Sequence, residues 1–342
     1  MTTPPGHTTA PGVTAADTER HITELIHRWV AAVDAGDLAG VLAGRDDDIV
    51  MFDVPPPDQG VRGIDAYRAA WPAFLAWQRG GARFELADLT VTAGQDVAFA
   101  HALLRCGTEG GLAEAPGVRL RLTLGLRRRS GRWVVTHEHH SFPLRDAPAT
   151  PGPDAGTDHH PGRDAGRDAD TGGDTGGDTG GDTEKRRPAG RTAGTEQAHR
   201  QIRALFDRWF ERTTAGDLDG LMEPIAAEVV SYEHDGPLEY RGAAAVREVC
   251  ARNLPAAPRS AEWTVPQMTV VSDGDLAVAW GLDRVRLPGP DGTTQEMWSR
   301  GTRVLRRTGG SWSMIHQHLS SPRDPATGQA ATTLRPGTPP TG

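Results

Sequence analysis

The chain is short of the residues on which much covalent and phosphate chemistry depends. Its 342 residues include one lysine, Lys185, and two cysteines, Cys106 and Cys250. A lone lysine within a polar tract excludes Schiff-base chemistry and a phosphate-loop lysine from any folded segment. The cysteines occupy non-equivalent places in the repeat described below, which argues against a disulfide framework and for reduced, buried thiols. No apolar run approaches the length of a membrane span, and the opening MTTPPGHTTAPG lacks the apolar stretch of a signal peptide. A cytoplasmic protein without a membrane partner is therefore expected. The net charge of −8 is modest and much of the acid lies in one tract, so no nucleic-acid surface is expected.

What the chain does have is a repeat. Residues 131–143 read GRWVVTHEHHSFP and residues 310–322 read GSWSMIHQHLSSP, both of the form W-x-x-x-H-x-H-x-S-x-P. The pattern is carried by Trp133, His137, His139, Ser141 and Pro143, and again by Trp312, His316, His318, Ser320 and Pro322, each pair 179 positions apart. Other segments recur at nearly the same offset. AGDL stands at 35–38 and 215–218, and DVAFAHALLR (96–105) is answered by DLAVAWGLDR (275–284).

Each copy changes period midway. In the first, Ile22, Leu25, Ile26, Trp29, Val30 and Val33 form an amphipathic helical stripe that Gly36 stops, and Asp37 can cap a second short helix. IVMFDV (49–54) reads as a strand ended by Pro55-Pro56-Pro57, and a third helix is expected from about Ile64 to Trp77. Period-two runs follow at 84–91, 97–105, 118–126 and 133–141, separated by turns at Gly94, Gly110-Gly111 and Ser130-Gly131. Helices first and a meander afterwards predict an α+β fold, with helices on one face of a mostly antiparallel sheet.

Between the copies, TGGDTGGDTGGDT is an acidic low-complexity tract with nothing to bury. The expected layout is a disordered tail over 1–16, a first domain over 17–147, a disordered linker over 148–194, a second domain over 195–323 and a disordered tail over 324–342. About 45 flexible residues span roughly 35–40 Å, a tether on which two domains meet at near-millimolar effective concentration. Intramolecular pairing of the domains, or a homo-oligomer, is expected.

With these residues in view, each half resembles the nuclear transport factor 2-like superfamily, in its SnoaL-like, ketosteroid-isomerase-like group. The markers are the AGDL junction, the strand ending FDVPP, the VRG or YRG turn into helix three, and the closing W-x-x-x-H-x-H-x-S-x-P strand. The resemblance implies two tandem cones, each a curved sheet wrapped over three helices with a pocket at one end. In steroid isomerases of the superfamily a carboxylate shuttles a proton, while a tyrosine and a protonated aspartic acid stabilise the enolate. By position the base falls on Asp53 in the first half and Glu233 in the second. A carboxylate beside Phe52 and Pro55 in an apolar cone is expected to titrate high. The tyrosine position holds Trp29 and Trp209, and the acid position Thr123 and Thr302, which depart from the isomerase pattern.

Arg121 and Arg300 share a strand face with those threonines and are candidate anchors for an enolate or carboxylate oxygen. His137 with His139, and His316 with His318, lie two apart on a strand and so share a face. They are read as pocket lining, or as residues bonded within a sheet or interface. Glu138, His140 and His101 of the first copy become Gln317, Leu319 and Trp280 in the second, so no metal site is expected, nor any cofactor. The closing strand also resembles the association domain of calcium/calmodulin-dependent kinase, an oligomerisation module. Two functions remain open: a cofactor-independent isomerase or cyclase moving a proton on a small apolar carbonyl compound, or a non-catalytic binding or assembly module.

Overall fold

The computed structural model describes residues 14–57, 59–144, 193–257, 259–289, 292–324, 327–331 and 335–337. The linker expected over 148–194 lies outside the described residues up to 192, as does the first tail up to residue 13. The first domain begins with α1 (Ala15–Asp34), fixed by a capping box in which the Thr14 hydroxyl accepts from the Asp17 N–H at 3.1 Å. Its buried residues Ile22, Ile26, Trp29, Val30 and Val33 are the stripe read from the sequence. Then come α2 (Leu38–Leu42), β1 (Arg45–Phe52), β2 (Val61–Arg62), α3 (Ile64–Arg79), β3 (Ala82–Ala93), β4 (Val97–Thr108), α4 (Glu109–Glu114), β5 (Leu120–Arg129) and β6 (Arg132–Ser141). Where a turn was expected at Gly110-Gly111 there is α4, capped by the Thr108 hydroxyl. Asp37 stands at the start of α2 without making a side-chain cap bond.

The second domain repeats the order with α5 (Ala193–Ala215), α6 (Leu218–Met222), β7 (Ile225–Tyr232), β8 (Tyr240–Arg241), α7 (Ala243–Asn253), β9 (Glu262–Thr264), β10 (Thr269–Asp273), β11 (Leu276–Pro288), β12 (Thr294–Thr308) and β13 (Ser311–Ser320). The first sheet runs β2-β1-β6-β5-β4-β3 and the second β10-β11-β12-β13-β7-β8, with β9 on β11. Among the described strands, the β1–β6 and β7–β13 pairings are parallel and the others antiparallel. The fold class is thus α+β, in two tandem copies.

Both faces of the central strands are buried, for different reasons. On β5, Leu120, Leu122, Leu124 and Leu126 point to the helices and join Ile26, Trp29, Tyr67 and Trp71 in the first core. The alternate residues Arg121 and Thr123 are fully buried too, because the second domain covers that face. Val50, Phe52, Val97 and Phe99 there meet Leu276, Val278, Trp280, Leu282 and Val304 in one apolar cluster. Burying each such side chain contributes about 1.5–3 kcal/mol, which makes the docked pair the stable arrangement. The strand ends are exchanged as well. Leu144 N–H donates to His234 O at 2.8 Å, and Arg323 N–H donates to Val54 O at 2.8 Å. Of the tail expected from 324, Asp324 and Gln329 close a turn by a 2.9 Å backbone bond. Among the described residues no helix is long and apolar enough to cross a membrane.

Candidate functional site

The paired histidines, with the threonine and arginine that both copies keep, are at the seam between the domains. His137, His139, Thr123 and Arg121 face His316, His318, Thr302 and Arg300 about an approximate two-fold axis, and all eight are fully buried. The Thr302 hydroxyl lies 2.7 Å from His137 Nε2 and 2.9 Å from His139 Nδ1. Thr123 bridges His316 Nε2 at 2.8 Å and His318 Nδ1 at 2.9 Å. His139 Nε2 reaches Ser320 Oγ, and His318 Nε2 reaches Ser141 Oγ, each at 2.8 Å.

Proton directions follow from the fixed ends. His137 Nδ1 lies 2.9 Å from the Val50 carbonyl and must donate there, so its Nε2 accepts from Thr302. Thr302 has then spent its proton and accepts from His139 Nδ1–H, leaving His139 Nε2 to accept from Ser320. From the other end, Arg121 Nε–H donates to Ser141 Oγ at 3.0 Å, so Ser141 donates to His318 Nε2. His318 Nδ1–H then donates to Thr123, and Thr123 donates to His316. The chain of bonds runs through all four imidazoles as neutral rings and ends at His316, whose Nδ1 has no hydrogen-bond partner. Burial supports this: it pulls His137 down to about 3 and holds His139, His316 and His318 well below the ordinary histidine range.

Of the two readings of the histidines, bonding at an interface is the one these distances describe, and Arg121, Thr123, His137, His139, Arg300, Thr302, His316 and His318 line the seam rather than either cone. They face the partner domain, and the alternation of β6 turns Glu138 and His140 towards the helices instead. That side of the first domain holds a polar cluster the sequence reading did not assemble. Arg45, at the start of β1, places Nε 2.7 Å from Glu138 Oε1, with both side chains wholly buried. The Tyr67 hydroxyl, from α3, donates to Glu138 Oε1 at 3.0 Å and accepts from Arg45 Nε at 3.1 Å. The Arg45 guanidinium sits 4.9 Å over the Trp29 ring. Trp29 meets Trp71 and Phe84 edge-on at 6.1 and 5.6 Å.

Asp53 lies at the rim of this cluster. Its Oδ1 is 3.4 Å from His140 Nδ1, while His140 Nε2 is 3.6 Å from Glu138 Oε2. Burial pushes the Asp53 carboxyl up, but the His140 hydrogen bond and charge, the Val54 N–H and the Arg300 guanidinium together pull it down further. The carboxyl therefore titrates below the ordinary aspartate range, the reverse of the raised value expected from an apolar cone. Burial pushes the Tyr67 phenol up, and the phenol stays neutral. Several buried nitrogens here have no protein partner: Arg45 Nη1 and Nη2, Trp29 Nε1 and Trp71 Nε1, with His140 Nε2 beside them. The group offers more donors than acceptors, so it suits an acceptor-bearing molecule.

The second domain does not repeat this. Ile225, Val246, Gln317 and Leu319 stand where Arg45, Tyr67, Glu138 and His140 stand in the first. Glu233 Oε1 accepts from Ser231 Oγ at 2.5 Å and Gln317 Nε2 at 3.0 Å. Trp209 Nε1 is spent on the Leu221 carbonyl at 2.9 Å. A bidentate Arg303–Asp283 pair is buried instead, with the guanidinium 5.4 Å from the Phe206 ring. Two open clefts, of about 380 and 320 Å³, lie elsewhere: one beside Gly94, Asp273 and Arg307, the other beside Asp235, Tyr240 and Arg252.

The family model of the SnoaL-like domain matches residues 22–145 and 202–324. Among solved structures, a nuclear transport factor 2-like protein of unknown function from Pseudomonas putida KT2440 is 40% identical. That match covers 40% of this chain and 92% of the other, with a TM-score of 0.35. A protein of the same superfamily with a cystatin-like fold, from Novosphingobium aromaticivorans, is 20% identical over 38% of this chain and 89% of its own, with a TM-score of 0.32. The association domain of the calcium/calmodulin-dependent protein kinase II of C. elegans is 14% identical, covering 38% of this chain and 100% of its own, at a TM-score of 0.33. No curated protein matches the chain.

Proposed function

The chain belongs to the SnoaL-like domain family, carrying the domain twice, and from that premise we propose that it is a single-chain pseudo-dimer whose first cone binds a small apolar carbonyl compound and moves a proton on it. The observation that carries the reading is the Asp53–His140 contact of 3.4 Å at the edge of a buried, donor-rich aromatic cluster. Asp53 is the base. Held below the ordinary aspartate range, it is ionised at neutral pH, and as a weak base it suits a carbon acid that is already activated, such as a C–H flanked by carbonyls. His140 holds the Asp53 carboxylate in place through its contact of 3.4 Å. The substrate oxygen takes hydrogen bonds from Trp29 or Trp71 N–H or from the free side of Arg45, in place of the tyrosine and aspartic acid of steroid isomerases. Glu138 and Tyr67 hold Arg45 in position. Every residue here belongs to the chain, and no cofactor takes part in the reading.

Deuterium incorporation tests it on a panel of activated carbon acids, whichever of them the cone accepts. β-Keto esters and β,γ-unsaturated ketones are incubated with the protein in D2O and followed by proton NMR. Exchange above background is expected for the wild type, reduced by about 100-fold or more in Asp53→Asn and His140→Leu. Equal exchange in wild type and both variants overturns the assignment.

A second reading is favoured by one observation: the paired histidines and the threonine of each copy bond to those of the other across the seam. On that reading the chain is a non-catalytic binding or assembly module. Ligand binding by the wild type with no exchange on any compound of the panel supports it.

A further inference from the structure

The segment that carries Asp53 has little means of holding itself. β1 ends at Phe52, and Pro55, Pro56 and Pro57 have no N–H to give to a ladder. The Val54 N–H is spent on Asp53 Oδ1 at 2.8 Å. What fixes this stretch comes from the other domain. The Arg300 guanidinium donates through Nη1 to the Asp53 carbonyl, and through Nη2 to the Pro55 and Pro57 carbonyls at 3.1 and 2.6 Å. It is fully buried and lies 5.7 Å from the Phe52 ring. Arg323, also of the second domain, gives its backbone N–H to Val54 O at 2.8 Å and its side chain to Pro143 O at 2.7 Å. Four carbonyls of residues 53–57 are thus held from outside their own domain. The reciprocal contact is thinner, since Arg121 gives the matching loop one bond, to Glu233 O at 2.6 Å.

We propose that Arg300 is a positioning residue for Asp53, so that the second domain completes the first domain's site. The inference deepens the reading of Asp53 as base and rests on it. A planar fork matched to three carbonyls sets the backbone of Asp53, and hence the approach of its carboxylate to His140 and to a bound carbonyl compound. A lysine keeps the charge but not the fork. This assigns the second domain, whose own cone lacks the ionisable cluster, a task in the first.

The experiment uses the full chain with Arg300→Gln and Arg300→Lys, and Val278→Ala as a control. Val278 belongs to the same seam but not to the loop. Three quantities are read: the titration midpoint of the Asp53 carboxyl by carbon NMR, the hydrogen exchange of the Gly60 amide, and kcat against KM for deuterium incorporation. The Gly60 N–H bonds to Pro57 O at 3.0 Å and so reports loop order. In Arg300→Gln the Asp53 midpoint is expected to rise by roughly half a pH unit or more as a neighbouring cation is lost. In Arg300→Lys the Gly60 amide is expected to exchange about tenfold faster and kcat to fall about tenfold at nearly constant KM. Val278→Ala is expected to lower stability while leaving midpoint, amide and kcat in place. If midpoint and amide are unmoved in both Arg300 variants, or move equally in Val278→Ala, the proposal is overturned. Should Arg300→Gln fail to fold, the lysine variant decides through the amide. The titration and amide exchange need no turnover, so a wild type inactive on every compound defeats the proton-transfer reading and leaves Arg300's action on Asp53 to be judged separately.

Discussion

His139 of the first domain and His318 of the second stack ring on ring, with centroids 3.7 Å apart and planes within 1° of parallel. Two imidazolium ions cannot share that geometry out of water, and the hydroxyls around them are already committed to neutral rings. His137 lies flat against Trp280 at 4.6 Å, and His316 against His101 at 4.9 Å, so the outer two rings are stacked as well. The seam is a polar ladder inside an apolar cluster, and its stability depends on protonation.

The first prediction follows from the sign of those shifts. A histidine whose folded pKa is depressed binds fewer protons in the folded state than in the unfolded chain once pH drops below about 6.5. Stability is therefore lost as pH falls from that value towards the folded pKa, which for His137 is about 3. Each such group takes away about 1.4 kcal/mol per pH unit, and four together about 5 kcal/mol per unit. Arg121 and Arg300 face the same rings and add to the penalty on charging them. Urea midpoints should fall steeply between pH 6.5 and 5. Flat midpoints over that range would mean that the histidines are not buried as neutral rings.

Thr302 and Thr123 each serve two histidines, which makes the hydroxyl more consequential than an exposed one. Thr302→Val keeps the volume but leaves His137 Nε2 and His139 Nδ1 without a partner, at a cost of about 2–4 kcal/mol. Thr302→Ser restores the oxygen and should recover most of the loss. Thr123→Val should behave alike through His316 and His318. Chemical denaturation of the full chain measures all three.

The repeat, the helix-then-strand order and the stripe on α1 were legible because they are local patterns of period and turn chemistry. The facing of the closing strand was not. Alternation puts His137 and His139 on one face and Glu138 with His140 on the other, but both faces of β6 are buried, so burial could not choose between them. The neighbouring strand held the missing signal. Leu120, Leu122, Leu124 and Leu126 mark the helix side of β5, so Arg121 and Thr123, kept in the second copy as Arg300 and Thr302, must face something else that is also duplicated. The Arg45–Tyr67–Glu138 cluster was out of reach for another reason. Its members come from two strands and a helix, and no short spacing ties Arg45 to Glu138. The departures between copies, such as Glu138 against Gln317 and His140 against Leu319, are visible in the sequence, but without the fold nothing joins them to Arg45 and Tyr67.

Gly125 lies where the two sheets pack against each other. A Cβ there would stand 3.2 Å from Val278 Cγ1 and 3.4 Å from His137 Cβ, on the seam side of β5. Gly125→Ala forces both neighbours to give by a few tenths of an ångström, and Gly125→Val cannot be fitted without parting the sheets. Overpacking of this kind costs about 1–3 kcal/mol. The valine variant should unfold earlier and show a larger radius of gyration in solution scattering, while the alanine variant keeps the wild-type radius. A valine variant of unchanged radius and stability would place the seam elsewhere.

The buried ion pair of the first cone gives the sharpest test, because the second domain displays an alternative solution at the same positions. Arg45 and Glu138 are wholly buried, and Glu138→Gln leaves the guanidinium without its carboxylate. Breaking a buried pair from one side costs about 3–5 kcal/mol, since the remaining charge stays out of water. Replacing both members need not. The second domain has Ile225 and Gln317 at these places, with the glutamine amide donating to Ser231 Oγ at 3.3 Å and Glu233 Oε1 at 3.0 Å. The double variant Arg45→Ile with Glu138→Gln should therefore be more stable than Glu138→Gln alone, approaching the wild type in thermal denaturation. Deuterium incorporation should stay below that of the wild type, because the Arg45 N–H groups are gone and only the Trp29 and Trp71 N–H groups remain as donors. A double variant as unstable as the single would show that the pair supports the cone by more than its own charge balance, through the Tyr67 hydroxyl and the Trp29 face that Arg45 also touches.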